Sequence, residues 1–149
     1  ITTLAARAVR AFDIEPRVAM LSYSNFGSAK GPIPDKVSKA TKIIKEKHPE
    51  MKIDGEMQAN IALNPALHKE LYPFSDIAEE GANTLIFPNL ESGNIAYKLM
   101  MEMGNVETIG PILVGMKKPV HILQLGSSVR DIINMTAIAV MDAQNGEGV

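Results

Sequence analysis

Short apolar runs alternate with longer segments of helical period along this chain, and that alternation leaves few folds open to it. Residues 17–23 (Arg-Val-Ala-Met-Leu-Ser-Tyr), 51–57 (Met-Lys-Ile-Asp-Gly-Glu-Met) and 82–87 (Ala-Asn-Thr-Leu-Ile-Phe) read as strands. The first is an unbroken apolar run, the pattern of a strand covered on both faces. Between the strands, apolar residues recur every three to four positions. Leu4, Ala5, Val9 and Phe12 mark a helix that Glu15-Pro16 ends. Val37, Ala40, Ile43 and Ile44 mark a second helix, with Pro34 and Asp35 in its first turn and His48-Pro49 beyond its end. Asn64-Pro65 opens a third, with Ala66, Leu67 and Leu71 behind it. A fourth starts near Ser92, with Ile95, Ala96, Leu99 and Met103 as its apolar stripe. A last one follows a cap at Ser127 or Ser128, lined by Ile132, Ile133, Met135, Ala139 and Val140. Residues 106–114 read as extended and broken at Gly110-Pro111, Pro119–Leu123 as a short strand, and Asn145–Val149 as a frayed tail. Strands alternating with helices predict an α/β fold, a mostly parallel sheet with helices on both faces.

Composition narrows the chemistry. A chain of 149 residues can bury a core of one domain. With no cysteine there is no disulfide, thiolate nucleophile or thiolate metal site, and a net charge of −2 gives no electrostatic drive toward nucleic acid or an anionic membrane. No apolar run approaches the length of a membrane span. No signal peptide is visible, and the first residue is Ile, so we expect a segment of a longer, cytoplasmic protein.

In a parallel sheet, ligands bind beyond the carboxyl ends of the strands. Three loops are expected there. Ser22–Gly31 carries Ser22, Ser24, Gly27, Ser28 and Lys30 ahead of a helix, which suits an anion or a plain strand-to-helix turn. Asn89, Ser92, Gly93 and Asn94 open the next helix; a phosphate site and a simple cap both fit, and the cap fits better. The third loop is Gln124–Ser128. His48 and His68 read as solvated, and His121 as a structural histidine of a strand; none is spaced as a metal pair. Asp54 and Glu56 alternate along a strand and read as one polar face, open to an interface. The chain has neither a Gly-Lys-Ser/Thr phosphate loop nor a Gly-x-Ser-x-Gly elbow.

Several strings resemble the carboxyl-terminal half of phosphate acetyl/butyryltransferases: residues 16–24, Gly-Ser-Ala-Lys-Gly-Pro at 27–32, Asp-Gly-Glu at 54–56, Phe-Pro-Asn-Leu-Glu-Ser-Gly-Asn at 87–94, and Ile-Gly-Pro-Ile at 109–112. The resemblance runs through essentially the whole chain. It implies a truncated two-domain fold like that of isocitrate and isopropylmalate dehydrogenases, with the ligand cleft between the domains. Residues 1–111 would then be a partial second domain, and 112–149 a strand and helix returning to the first. In active transferases the segment matching Leu123–Ser127 reads Leu-Ser-Arg-Gly-Cys. Its Ser assists the attacking phosphate or leaving thiolate, and its Arg gives phosphate a fixed positive charge. Here those positions are Gln124 and Leu125, while the family's catalytic Asp is matched by Asp131.

That pattern resembles the phosphotransacetylase-like domain of large bacterial NADP-dependent malic enzymes. The resemblance implies a non-catalytic domain that senses acetyl-CoA or a related acyl-CoA through the loops above, in a homo-oligomer (dimer or higher) that takes neither nucleic acid nor membrane. It implies no cofactor in this segment, NADP and a divalent metal being expected only in a malic-enzyme region outside it. An active phosphate acetyltransferase and a structural dimerisation module are the alternatives.

Overall fold

The computed structural model describes residues 1–104 and 108–144. The helix α1 (Thr2–Arg10) leads into strand β1 (Arg17–Leu21), helix α2 (Pro32–Lys47) and strand β2 (Lys52–Met57). Two short helices, α3 (Ala59–Ala62) and α4 (Pro65–Leu71), precede strand β3 (Thr84–Ile86), and α5 (Leu90–Gly104) and α6 (Val129–Gln144) complete the order. The sheet runs β2-β1-β3 with every pair parallel; Val18 sits opposite Ile53 on one side and Thr84 on the other.

β1 is the centre of the sheet and of the core. Its side chains alternate between two apolar clusters, so no residue from Val18 to Leu21 reaches water. Val18 and Met20 pack with Ala6 of α1 and Val37 of α2, while Ala19 and Leu21 pack with Ile61, Ala62 and Ile77 on the opposite face. Helices therefore cover both faces, as the unbroken apolar run predicts.

The register of β1 with β2 slips after Met20: Met20 faces Gly55, but Leu21 faces Met57, leaving Glu56 as an extra residue. Gly55 is required there. Its φ is +141°, and a Cβ at that point would lie 2.5 Å from the Met20 carbonyl oxygen.

Four expectations change. Asp54 and Glu56 are not a solvent-facing polar surface; both are buried inside the unit. Asp54 pairs with Lys45 of α2 at 3.0 Å and accepts from the Asp76 amide at 3.1 Å, and the same Lys45 reaches Asp76 at 2.8 Å. The Lys45 ammonium is held above its ordinary range, the two carboxylates outweighing its partial burial. The expected strand at Pro119–Leu123 is absent: this stretch has no ladder partner among the described residues, and extended backbone becomes strand only through such pairing. The stripe of α5 (Ile95, Leu99, Met103) faces outward, with no buried residue in that helix; on α6, Met135 and Ile138 turn inward while Ile132, Ile133 and Val140 stay exposed. Of the residues expected to be extended at 106–114, Val106 and Glu107 lie outside the described ones, as does the tail expected to fray, Asn145–Val149.

The fourth change is His68, which is fully buried rather than solvated. It lies among Phe26 and Tyr72, and neither ring nitrogen has a hydrogen-bond partner. Burial lowers its pKa, against an opposing pull from the Asp54 charge. Folded His68 thus binds a proton more weakly than the unfolded chain does, so the unfolded state gains protons as pH falls. Its contribution to stability is complete above the ordinary histidine value of about 6.5 and is lost as pH drops below it. Urea midpoints measured between pH 7.5 and 5.5, on the order of the window this titration spans, should fall for the wild type and stay nearly level for His68→Phe. Equal pH dependence in the two proteins would contradict this account.

Candidate functional site

The loop after β1 is built around one carboxylate. Glu56, pushed out of register at the end of β2, accepts from the Ser24 hydroxyl at 2.9 Å and the Gly27 amide at 2.6 Å through Oε1. Its backbone carbonyl accepts from the Phe26 amide at 2.7 Å. Ser24 is fully buried and in turn accepts from the Ala29 amide at 3.1 Å. Ser28 accepts from the Asn25 amide at 2.9 Å, and the Asn25 side chain accepts from the Gln58 amide at 2.7 Å. Several of the groups expected to hold an anion are thus engaged inside the protein: Ser24 and Gly27 serve the fold, while Ser22 is half-buried and Lys30 exposed.

The loop after β3 is a helix cap. Asn89, not Ser92, is the capping residue: its side chain accepts from the Ser92 amide at 2.9 Å and from the Ser92 hydroxyl at 2.7 Å. The helix therefore starts at Leu90, two residues before the position read from sequence. An Asn reaches the third helical amide with its side-chain oxygen, so it outcompetes the serine that follows. Gly93 and Asn94 lie within the first turn, Gly93 against the Phe87 ring. The adjoining chain is steadied by Lys36, which donates to the Pro88 carbonyl.

The third loop does line a cavity, of about 220 Å³. Gln124, Leu125, Ser127 and Asp131 form one wall, Tyr97, Lys98 and Met101 of α5 another, and residues 108–111 a third. The turn is tight: Ser127 donates its amide to the Gln124 carbonyl at 3.1 Å, its hydroxyl accepts from the Gln124 amide at 3.1 Å, and Gly126 supplies φ +90°. Leu125 stands at the tip, 107% exposed. Asp131 is bound into a reciprocal cap with Ser128. It accepts from both the Ser128 amide and hydroxyl at 2.8 Å, and its own amide donates to the Ser128 oxygen at 3.2 Å. The bond from the Ser128 amide, then that from its hydroxyl, holds the Asp131 carboxyl below its usual range.

The structure thus gathers Gln124, Leu125 and Asp131 at one cavity and leaves both strand-end loops outside its lining. Sequence reading missed Lys98, Tyr97 and Asn134, which also line it. Helical spacing was the available signal, since 134 lies one turn beyond 131 and 97 and 98 lie one turn before 101. His121 is not a free base: its Nε2 lies 3.2 Å from the buried Asp142 carboxylate, and both side chains are nearly inaccessible. Among the described residues no group of three or more His, Asp or Glu could hold a metal ion, and no helix is long and apolar enough to cross a membrane.

A family model described as Phosphate acetyl/butaryl transferase matches residues 1–140. The NADP-dependent malic enzyme of Escherichia coli (strain K12) is 46% identical over 145 residues, which is 97% of this chain and 19% of that protein. The phosphate acetyltransferase of Bacillus subtilis (strain 168) is 46% identical over 138 residues, 93% of this chain and 42% of that protein. Among solved structures, a phosphotransacetylase from Streptococcus pyogenes superimposes with a TM-score of 0.90 at 42% identity, covering 97% of this chain and 44% of that one. The chain spans less than half the length of each of these relatives. It belongs to the phosphate acetyl/butaryl transferase family, as a phosphotransacetylase-like domain of a kind shared by malic enzymes and phosphate acetyltransferases.

Replacing Glu56 tests the loop's anchorage. Glu56→Ala removes the shared acceptor of the buried Ser24 hydroxyl and the Gly27 amide and should cost about 2–4 kcal/mol in urea unfolding, whereas Glu56→Gln, which keeps an acceptor, should cost about 1 kcal/mol. Amide exchange at Gly27 should quicken in the alanine variant; unchanged exchange there would show that something else holds the loop.

Proposed function

We propose that this chain is the phosphotransacetylase-like part of an NADP-dependent malic enzyme, where acetyl-CoA binds as a signal and its acyl group is not transferred. One observation carries the reading: the cavity wall offers Gln124, Leu125 and a tied-down Asp131 where acyl transfer needs a nucleophile or base and a fixed cation. Gln124 can hydrogen-bond a carbonyl or amide but takes up no proton at neutral pH. Leu125 gives phosphate no charge, and each lost charge-assisted hydrogen bond is worth about 1.5–3 kcal/mol. Asp131 accepts both Ser128 bonds through one oxygen, Oδ2, and a carboxylate held below its usual range is a weaker base.

On this reading the acyl end of the ligand enters the cavity of about 220 Å³. On this reading NADP and a divalent metal are held by a region outside this chain, the protein is a cytoplasmic homo-oligomer, and a net charge of −2 favours neither nucleic acid nor membrane as a partner. Dimerisation as the sole role loses the support of Asp54 and Glu56, which are internal, and keeps that of the exposed apolar stripe of α5. An active phosphate acetyltransferase is the second reading; equal identity to a malic enzyme and to a phosphate acetyltransferase favours it, as does the retained Asp131.

Two assays on the full-length protein separate them. Acetyl phosphate should not form above background from acetyl-CoA and phosphate, while the rate of malate-dependent NADPH formation should shift when acetyl-CoA is added. Steady acetyl phosphate production by the wild type would establish the transferase instead, and a rate indifferent to acetyl-CoA would remove the sensing role.

A further inference from the structure

Residues 109–123 run without a ladder partner, and most of them are exposed. His121 departs from this pattern: its side chain is 4% exposed, and its Nε2 lies 3.2 Å from Oδ2 of Asp142, a side chain 2% exposed. The other ring nitrogen, Nδ1, is buried without a partner. The ring proton therefore sits on Nε2 and is donated to the carboxylate. Among the described residues this is the one hydrogen bond that ties residues 109–123 to another element.

Its place in the fold gives this bond leverage. Ile122 and Leu123, next to His121, line the cavity, and the turn 124–127 follows at once. Asp131, Met135, Ile138 and Asp142 fall three or four residues apart and so share one face of α6. The first two line the cavity, and Asp142 lies about three turns beyond Asp131 on the same face. Neither His121 nor Asp142 is part of the lining. The turn and the helix are thus pinned together twice. The Ser128–Asp131 bonds are local and fix the start of the helix. The His121–Asp142 bond spans the whole turn and sets where the incoming stretch crosses α6. A buried carboxylate tolerates little displacement of its donor, because an unmet buried charge is costly.

We propose that His121 and Asp142 are positioning residues of the cavity: through one buried hydrogen bond they fix the path of residues 122–127 over α6, and with it the shape of the opening that a ligand enters. The proposal rests on the reading of this cavity as an acyl-CoA site and adds a control over it from outside its lining.

Two substitutions separate position from packing. A glutamine carries its side-chain N–H where the histidine Nε2 stands and reaches Asp142; an asparagine carries it at the Nδ1 position and falls short. The assay is malate-dependent NADPH formation by the full-length protein, at a temperature where melting curves show every form folded. The acetyl-CoA concentration that gives half its effect should rise at least about fivefold in His121→Asn and stay within about twofold in His121→Gln. The rate without acetyl-CoA should be the same in the wild type and both variants. A wild-type response in His121→Asn overturns the proposal, and so does an equal loss in both variants. Hydrogen exchange on the wild type needs no substitution. Linkage is reciprocal, so a ligand whose site is shaped by the pair must in turn tighten the pair. Amides of residues 139–144, which lie outside the lining, should exchange several-fold more slowly when acetyl-CoA is saturating. A rate that responds to acetyl-CoA with no slowing there overturns the proposal and leaves the function standing. No response of either rate or exchange to millimolar acetyl-CoA overturns both.

Discussion

Burial of β1 on both faces is the constraint from which the rest of the unit follows. A parallel strand with apolar partners above and below admits no water along its neighbours. The polar side chains that β2 buries beside it must therefore find their partners inside the protein. Asp54 finds Lys45 and the Asp76 amide; Glu56 finds the Ser24 hydroxyl and the Gly27 amide. Two acidic residues that look like a surface are thereby turned into internal fasteners, one tying α2 to the segment before β3, the other fixing the loop after β1.

The glycine- and serine-rich loop is held from within in this way. Its composition suits an anion site, and its position beyond a parallel strand end suits one too. Yet Ser24 and the Gly27 amide are spent on Glu56, and the loop takes no part in lining the cavity. The cavity lies at the α6 cap and the turn before it, beside α5. There the two charged side chains sit in different environments: the Asp131 carboxylate accepts from the Ser128 amide and hydroxyl, and the Lys98 ammonium lies 5.1 Å from the Tyr97 ring centroid.

Much of the architecture was legible. The unbroken run at Val18–Leu21 marks a doubly covered strand, and breakers such as His48-Pro49 and Asn64-Pro65 place helix ends closely, because their backbone restrictions act locally. What escaped reading depends on contacts between distant residues. His68 carries no local mark of burial; its environment comes from Phe26, forty-two positions earlier, and from Tyr72. A strand such as Pro119–Leu123 needs a pairing partner that periodicity cannot supply. Asp54 and Glu56 were misread because strict alternation assumes a regular ladder, and the ladder slips between them. At the site, Gln124, Leu125 and Asp131 were found together because they are near in sequence, whereas Lys98 joins them only through the packing of α5.

Leu125 illustrates how separately the two layers of this molecule can change. It sits at the apex of a turn whose shape is set by Gly126 and by the Gln124–Ser127 hydrogen bonds, and its own side chain is fully in solvent. A residue in such a place can be exchanged for almost any other with little effect on folding. The electrostatic character of the cavity mouth is therefore free to drift while the scaffold stays under constraint. A change at this one tip can therefore alter the charge presented at the cavity mouth while the fold beneath it stays as it is.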